Sequence, residues 1–138
     1  MNSDSRRLIN SLPHAYPFVM IDRVVETGEK NRMVCLKNIP FNEEWCTGYM
    51  DNGMVFPPVL IIEAMAQTSG LIIGGGRGGM AYLSSIRDAR FLQPAVPGDQ
   101  LIITSILMHE LPPLYAFEAR VEVRGQIVSE ADITLALL

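Results

Sequence analysis

The chain has 138 residues, enough for one domain with a real hydrophobic core. Hydrophobic residues make up 49% and charged residues 19%, a core-rich balance that predicts apolar surface buried between subunits. A net charge of −4, with no basic stripe interleaved with aromatics, argues against nucleic-acid binding.

The opening "MNSDSRRLINSLPH" is too polar for a secretory signal. Cys35 and Cys46 lack metal-ligand spacing, so a reduced, cytoplasmic protein without a metal or other cofactor is expected. "DRVVET" (22–27) and "RMVCLKNI" (32–39) flank the turn-like "GEKN" and predict a hairpin. The stretch "GYMDNGMVFPPVLIIEAMAQ" (48–67) then leads into an apolar run from Val59 to Ile73, read as a helix with Pro57 and Pro58 at its mouth. At about 22 Å this helix is short of a bilayer core, so it belongs inside a globular core and not in a membrane.

Two polar residues interrupt it, Glu63 and, one turn later, Gln67. A carboxylate in a helix apolar on every side is either held by a backbone or glutamine partner or kept for chemistry. Upstream, Asp51 with Asn52 and Gly53 has the composition of a turn. Downstream, "GGGRGGM" (74–80) stops the helix; a phosphate loop would follow a strand and precede a helix.

The "VPGD" turn at 96–99 introduces the strand "QLIITSILMHE", which ends near His109. "LYAFEARVEVR" (114–124) sets Tyr115, Phe117, Ala119, Val121 and Val123 on one face and Glu118, Arg120, Glu122 and Arg124 on the other. "IVSEADITLALL" places Ile127, Ala131, Ile133 and Leu135 on its core face. The sum is an α+β domain over 1–138, a mainly antiparallel sheet of five or six strands around one apolar helix. Its outer face and edge remain open to a second subunit.

Three blocks carry a family likeness: "LPHAYPFVMIDRV" (12–24), "PPVLIIEAMAQTSGLI" (57–72) and "ARFLQPAVPGDQL" (89–101). In this order they resemble the 3-hydroxyacyl-[acyl carrier protein] dehydratases of the FabZ type, from about Leu8 to the C-terminus. The resemblance implies a hot-dog fold, a curved antiparallel sheet around a long central helix. It also implies a dimer with two acyl tunnels at its interface, often built into a trimer of dimers. Family members remove water from a 3-hydroxyacyl thioester carried on acyl carrier protein. A histidine and a glutamate from opposite subunits share the proton transfers, and a backbone N–H faces the thioester carbonyl.

The glutamate falls on Glu63. The family's signature ahead of the helix, His-Phe-Pro-Gly-His-Pro-Val-Met-Pro-Gly, reads Tyr49-Met50-Asp51-Asn52-Gly53-Met54-Val55-Phe56-Pro57-Pro58 here, and only Val55 and Pro57 agree. Tyr49 replaces the histidine, and a phenol is ordinarily neutral at pH 7 and no resting base. Pro58 replaces the glycine whose N–H faces the carbonyl, and proline has none. Losing one such donor costs about 2–4 kcal/mol of transition-state stabilisation. Val55, Pro58, Gln67 and Phe91 are the expected substrate-binding positions. His14, in "PHAYPF", reads as packing, and His109 as surface.

Three functions compete. The chain acts as a heteromeric subunit, giving Glu63 to a histidine-bearing dehydratase homologue, so that one tunnel is live and the other silent. Alternatively it is a non-catalytic homodimer that binds acyl carrier protein, or a hot-dog thioesterase in which Glu63 orients water. Acyl carrier proteins are acidic, and Arg77, Arg87 and Arg90 are the expected docking cations.

Overall fold

Alternating residues and turn chemistry set most of this chain into strands. The computed structural model describes residues 3–28, 31–46, 54–74 and 80–138. A short helix, α1 (Ser3–Asn10), precedes the hairpin strands β1 (Arg23–Glu26) and β2 (Arg32–Asn38). A 3-10 turn at Glu44–Cys46 comes before the long helix α2 (Pro58–Gly74). Four long strands complete the chain: β3 (Ala81–Phe91), β4 (Gln100–Leu111), β5 (Leu114–Val123) and β6 (Gln126–Leu137).

The strands form one antiparallel sheet in the order β1-β2-β4-β5-β6-β3. The β5–β6 turn needs left-handed backbone at both central residues, and Arg124 (φ 51°) and Gly125 (φ 77°) provide it. The turn before β4 is tied by Asp99, whose Oδ2 accepts from the Val96 N–H at 3.0 Å.

Helix α2 explains the curvature. It buries Leu60, Ile61, Met65, Ala66 and Leu71 on different sides, so no single flat layer covers it. The sheet wraps it instead, with β2, β4, β5, β6 and β3 all against the helix. Phe56, Phe117, Ile103 and Ile133 close the core around Met65. Each such fully buried side chain contributes about 1.5–3 kcal/mol of burial. Polar residues inside α2 are satisfied locally: Thr68 Oγ1 donates to Ala64 O at 2.9 Å and Ser69 Oγ to Met65 O at 2.8 Å. This is the hot-dog architecture.

One expectation changes. Ile127 faces solvent, and Val128 is buried in its place, because a bulge opposite Val121 and Glu122 shifts the start of β6. Strand β3, which the sequence pattern does not mark, carries little alternation, and its residues from Ser84 to Phe91 are exposed on both faces. It forms the sheet edge, with Tyr82, Ile86 and Phe91 in solvent.

Candidate active site

The site grows from α2. Pro58 opens the helix with its φ already suited to the first turn, and Pro57 O accepts from the Leu60 N–H at 2.9 Å. One turn further on, Glu63 is the only acid on a helix of 17 residues. Gln67 follows at i+4, the spacing that stacks two side chains on one face.

Gln67 is 2% exposed, and its amide makes three hydrogen bonds. Its Oε1 accepts from the Met20 N–H at 2.8 Å, while Nε2 donates to Phe18 O at 2.8 Å and to Glu63 Oε1 at 2.9 Å. The opposite amide orientation would set NH₂ against an N–H donor and oxygen against two oxygens, so these partners fix it. Gln67 thus fastens the 12–20 loop to α2 and orients the carboxylate in the same act.

The clamped loop carries His14. Its Nε2 lies 3.2 Å from Glu63 Oε1, with the imidazole and carboxylate side chains 28% and 19% exposed. Phe18 stacks on the imidazole at 6.0 Å between ring centroids, and Trp45 meets Phe18 edge-on. His14 Nδ1 is buried and has no hydrogen-bond partner among the described residues. A reading of the sequence as packing alone therefore misses His14. Nothing local signals its contact, because the loop and α2 are joined only by the fold.

Glu63, His14 and Gln67 border a cavity of about 360 Å³ that continues along α2 past Ala66, Gly70 and Gly74. Leu71, Leu83 and Leu135 give its far wall an apolar lining. A methyl group added at Gly70 or Gly74 meets nothing within 4 Å, so the small residues leave this channel open. The arrangement combines one oriented carboxylate, one imidazole and an apolar channel, which suits acid–base work at the head of an acyl chain.

The other expected positions disperse. Tyr49, Asp51 and Arg77 lie outside the described residues. Val55 and Pro58 are half-buried, and neither borders the cavity. Phe91, at the far end of β3, is nearly half exposed and also stands away from it. Arg87 and Arg90 are exposed on β3, opposite Asp132 and Glu130 on β6, so acids interleave with these cations. His109 is exposed on β4, as expected.

The profile of the FabA-like domain family matches residues 12–132. The chain belongs to the FabA-like family. Among curated members, the 3-hydroxyacyl-[acyl-carrier-protein] dehydratase FabZ of Polynucleobacter asymbioticus is 39% identical over 137 residues, spanning 97% of this chain and 92% of that one. FabZ of Bartonella bacilliformis is 40% identical over 135 residues, with 95% and 88% covered. The chain is thus a FabZ-like homologue within the FabA-like family. In fold it also matches a chain of the dehydratase heterocomplex ApeI:P from Xenorhabdus doucetiae, with a TM-score of 0.81 at 19% identity, covering 95% and 90%.

Proposed function

We propose that this chain is a subunit of a heteromeric 3-hydroxyacyl-[acyl carrier protein] dehydratase, to which it contributes Glu63. The observation that carries this reading is Glu63, oriented by Gln67 at the head of an apolar cavity. The family resemblance sets Tyr49 and Pro58 at the base and carbonyl-donor positions, which supports a subunit that lacks those two groups. A histidine-bearing homologue supplies the missing groups across a shared interface.

In this scheme the partner's imidazole takes the C2 proton of the 3-hydroxyacyl thioester. The C–H electron pair becomes the C2–C3 double bond, and the C3–O bond breaks. Protonated Glu63 gives its proton to the departing hydroxyl, which leaves as water. Return of the proton from the partner's imidazolium to the Glu63 carboxylate resets the pair. The scheme needs no metal or cofactor and goes with a cytoplasmic protein.

The assembly is a heterodimer, or a trimer of such dimers, formed along β3, whose apolar edge supports pairing with a related chain. Arg77, Arg87 and Arg90 serve as docking cations for the acidic acyl carrier protein. Because Arg87 and Arg90 stand opposite acids, this docking contribution is modest. Charge reversal at all three weakens carrier binding and flattens its salt dependence; unchanged binding removes the assignment.

The test is co-expression with a histidine-bearing FabZ-type homologue. The expected result is a stable complex that dehydrates a 3-hydroxyacyl carrier protein, while this chain alone does not. Turnover by the isolated chain at roughly 1 s⁻¹ or more defeats the proposal. A homodimer that binds acyl carrier protein without any catalytic partner would favour a holding role instead.

A further inference from the structure

We propose that His14 is a positioning residue for Glu63, locking one carboxylate oxygen so that the other is the reacting one. The inference rests on the reading of Glu63 as the acid of the dehydration, and it assigns a role to a residue of the same chain.

Two side chains converge on a single oxygen. Gln67 Nε2 donates to Glu63 Oε1 at 2.9 Å, and His14 Nε2 lies in ion-pair contact with the same atom at 3.2 Å. With Oε1 committed to both, Oε2 is left for the substrate hydroxyl. A carboxyl held by one contact can rotate about its last torsion and present either oxygen. A second contact from a different residue removes that freedom, and positional freedom of this kind costs reaction rate.

The environment of the imidazole points the same way. A proton on Nε2 faces Oε1 across this contact and leaves the lone pair on Nδ1. That nitrogen is buried without a partner among the described residues, and a proton there would be an unpaired buried donor. Phe18 stacks against the ring, and the loop behind it is pinned at Phe18 O and Met20 N by the same Gln67 amide. One glutamine therefore holds both the acid and the residue that steers it. A side chain kept for packing alone would do better as an aromatic hydrocarbon, without the desolvated nitrogen.

The test compares wild type, His14→Gln and His14→Ala in the heteromeric complex, with kcat and KM normalised to assembled complex by native mass spectrometry. Glutamine places an Nε2–H donor at similar reach without an imidazole. His14→Ala is expected to lower kcat roughly ten- to hundredfold with KM changed little, and His14→Gln to recover most of it. The pH–rate profile of His14→Gln should keep its wild-type shape. Wild-type kcat in His14→Ala, with only thermal stability lost, would overturn the inference. So would His14→Gln as inactive as His14→Ala, which would make the imidazole itself a proton carrier. A wild-type complex without turnover would defeat the heteromeric reading, and a separate readout then decides the geometry. In the isolated chain, the His14 Nε2–H resonance should be protected from exchange and lose that protection in Glu63→Leu. A rapidly exchanging Nε2–H in wild type contradicts the contact.

Discussion

At the scale of single residues, Gln67 is the joint of the site. Its amide satisfies the Met20 N–H and Phe18 O of the loop as well as the Glu63 carboxylate. Gln67→Leu should destabilise the protein by about 3 kcal/mol, since buried backbone groups lose their partner, and should release the loop bearing His14. Denaturant unfolding measures the first effect; a loss under 1 kcal/mol would mean that water or another side chain takes over. Cys35 makes a second prediction. Burial raises its thiol from the ordinary 9.0 to about 12, opposed only in part by the Thr68 hydroxyl. Below pH 9 folded and unfolded chains both keep the proton, so stability is unaffected. As pH rises from 9 towards about 12, the unfolded chain loses the proton first, and stability should fall by up to about 1.4 kcal/mol per pH unit. Cys35→Ala should show a shallower alkaline loss in urea titrations, and equal slopes would contradict the assignment. The Glu63–Gln67 pair is legible in the sequence because i and i+4 lie on one helical face. His14 is not, because 49 residues separate it from Glu63 and only the folded loop brings them together.

Among the elements, α2 and β3 contrast in what their sequences disclose. The apolar run with prolines at its mouth marks α2 to within a residue at each end, and the alternation in β5 marks both of its faces. Strand β3 has no such signature, because alternation arises only where one face is buried, and most of this strand is exposed on both. The position of Ile127 fails for a related reason: a bulge changes the side on which every residue before it lies. Within α2, Gly70 sits where helix propensity disfavours it, and an added methyl meets open space. Gly70→Ala should therefore stabilise the protein by about 0.5–1 kcal/mol, while Gly70→Leu should fill the channel and weaken binding of long acyl chains. A destabilised alanine variant would show that the backbone there needs glycine, and undiminished binding in the leucine variant would place the acyl chain elsewhere.

For the molecule as a whole, the apolar excess in the composition reappears as exposed apolar side chains, among them Tyr82, Ile86 and Phe91 on the β3 edge. An uncovered edge of this kind invites pairing with a related chain. Ile86→Lys should weaken assembly in native mass spectrometry while leaving far-ultraviolet circular dichroism unchanged; an unaffected complex would move the interface away from β3. In the proposed division of labour Tyr49 and Pro58 stand in place of the base and the carbonyl donor, so Tyr49→His alone should recover little activity in the isolated chain, and Tyr49→His with Pro58→Gly should recover more. Comparable recovery by the single change would show that the lost N–H donor matters little. The most direct measurement is dehydration by the purified heteromeric complex carrying Glu63→Gln in this chain only. The account predicts that turnover of the 3-hydroxyacyl carrier protein is abolished while the complex assembles normally; turnover at the wild-type rate would show that this chain's carboxylate takes no part in the chemistry.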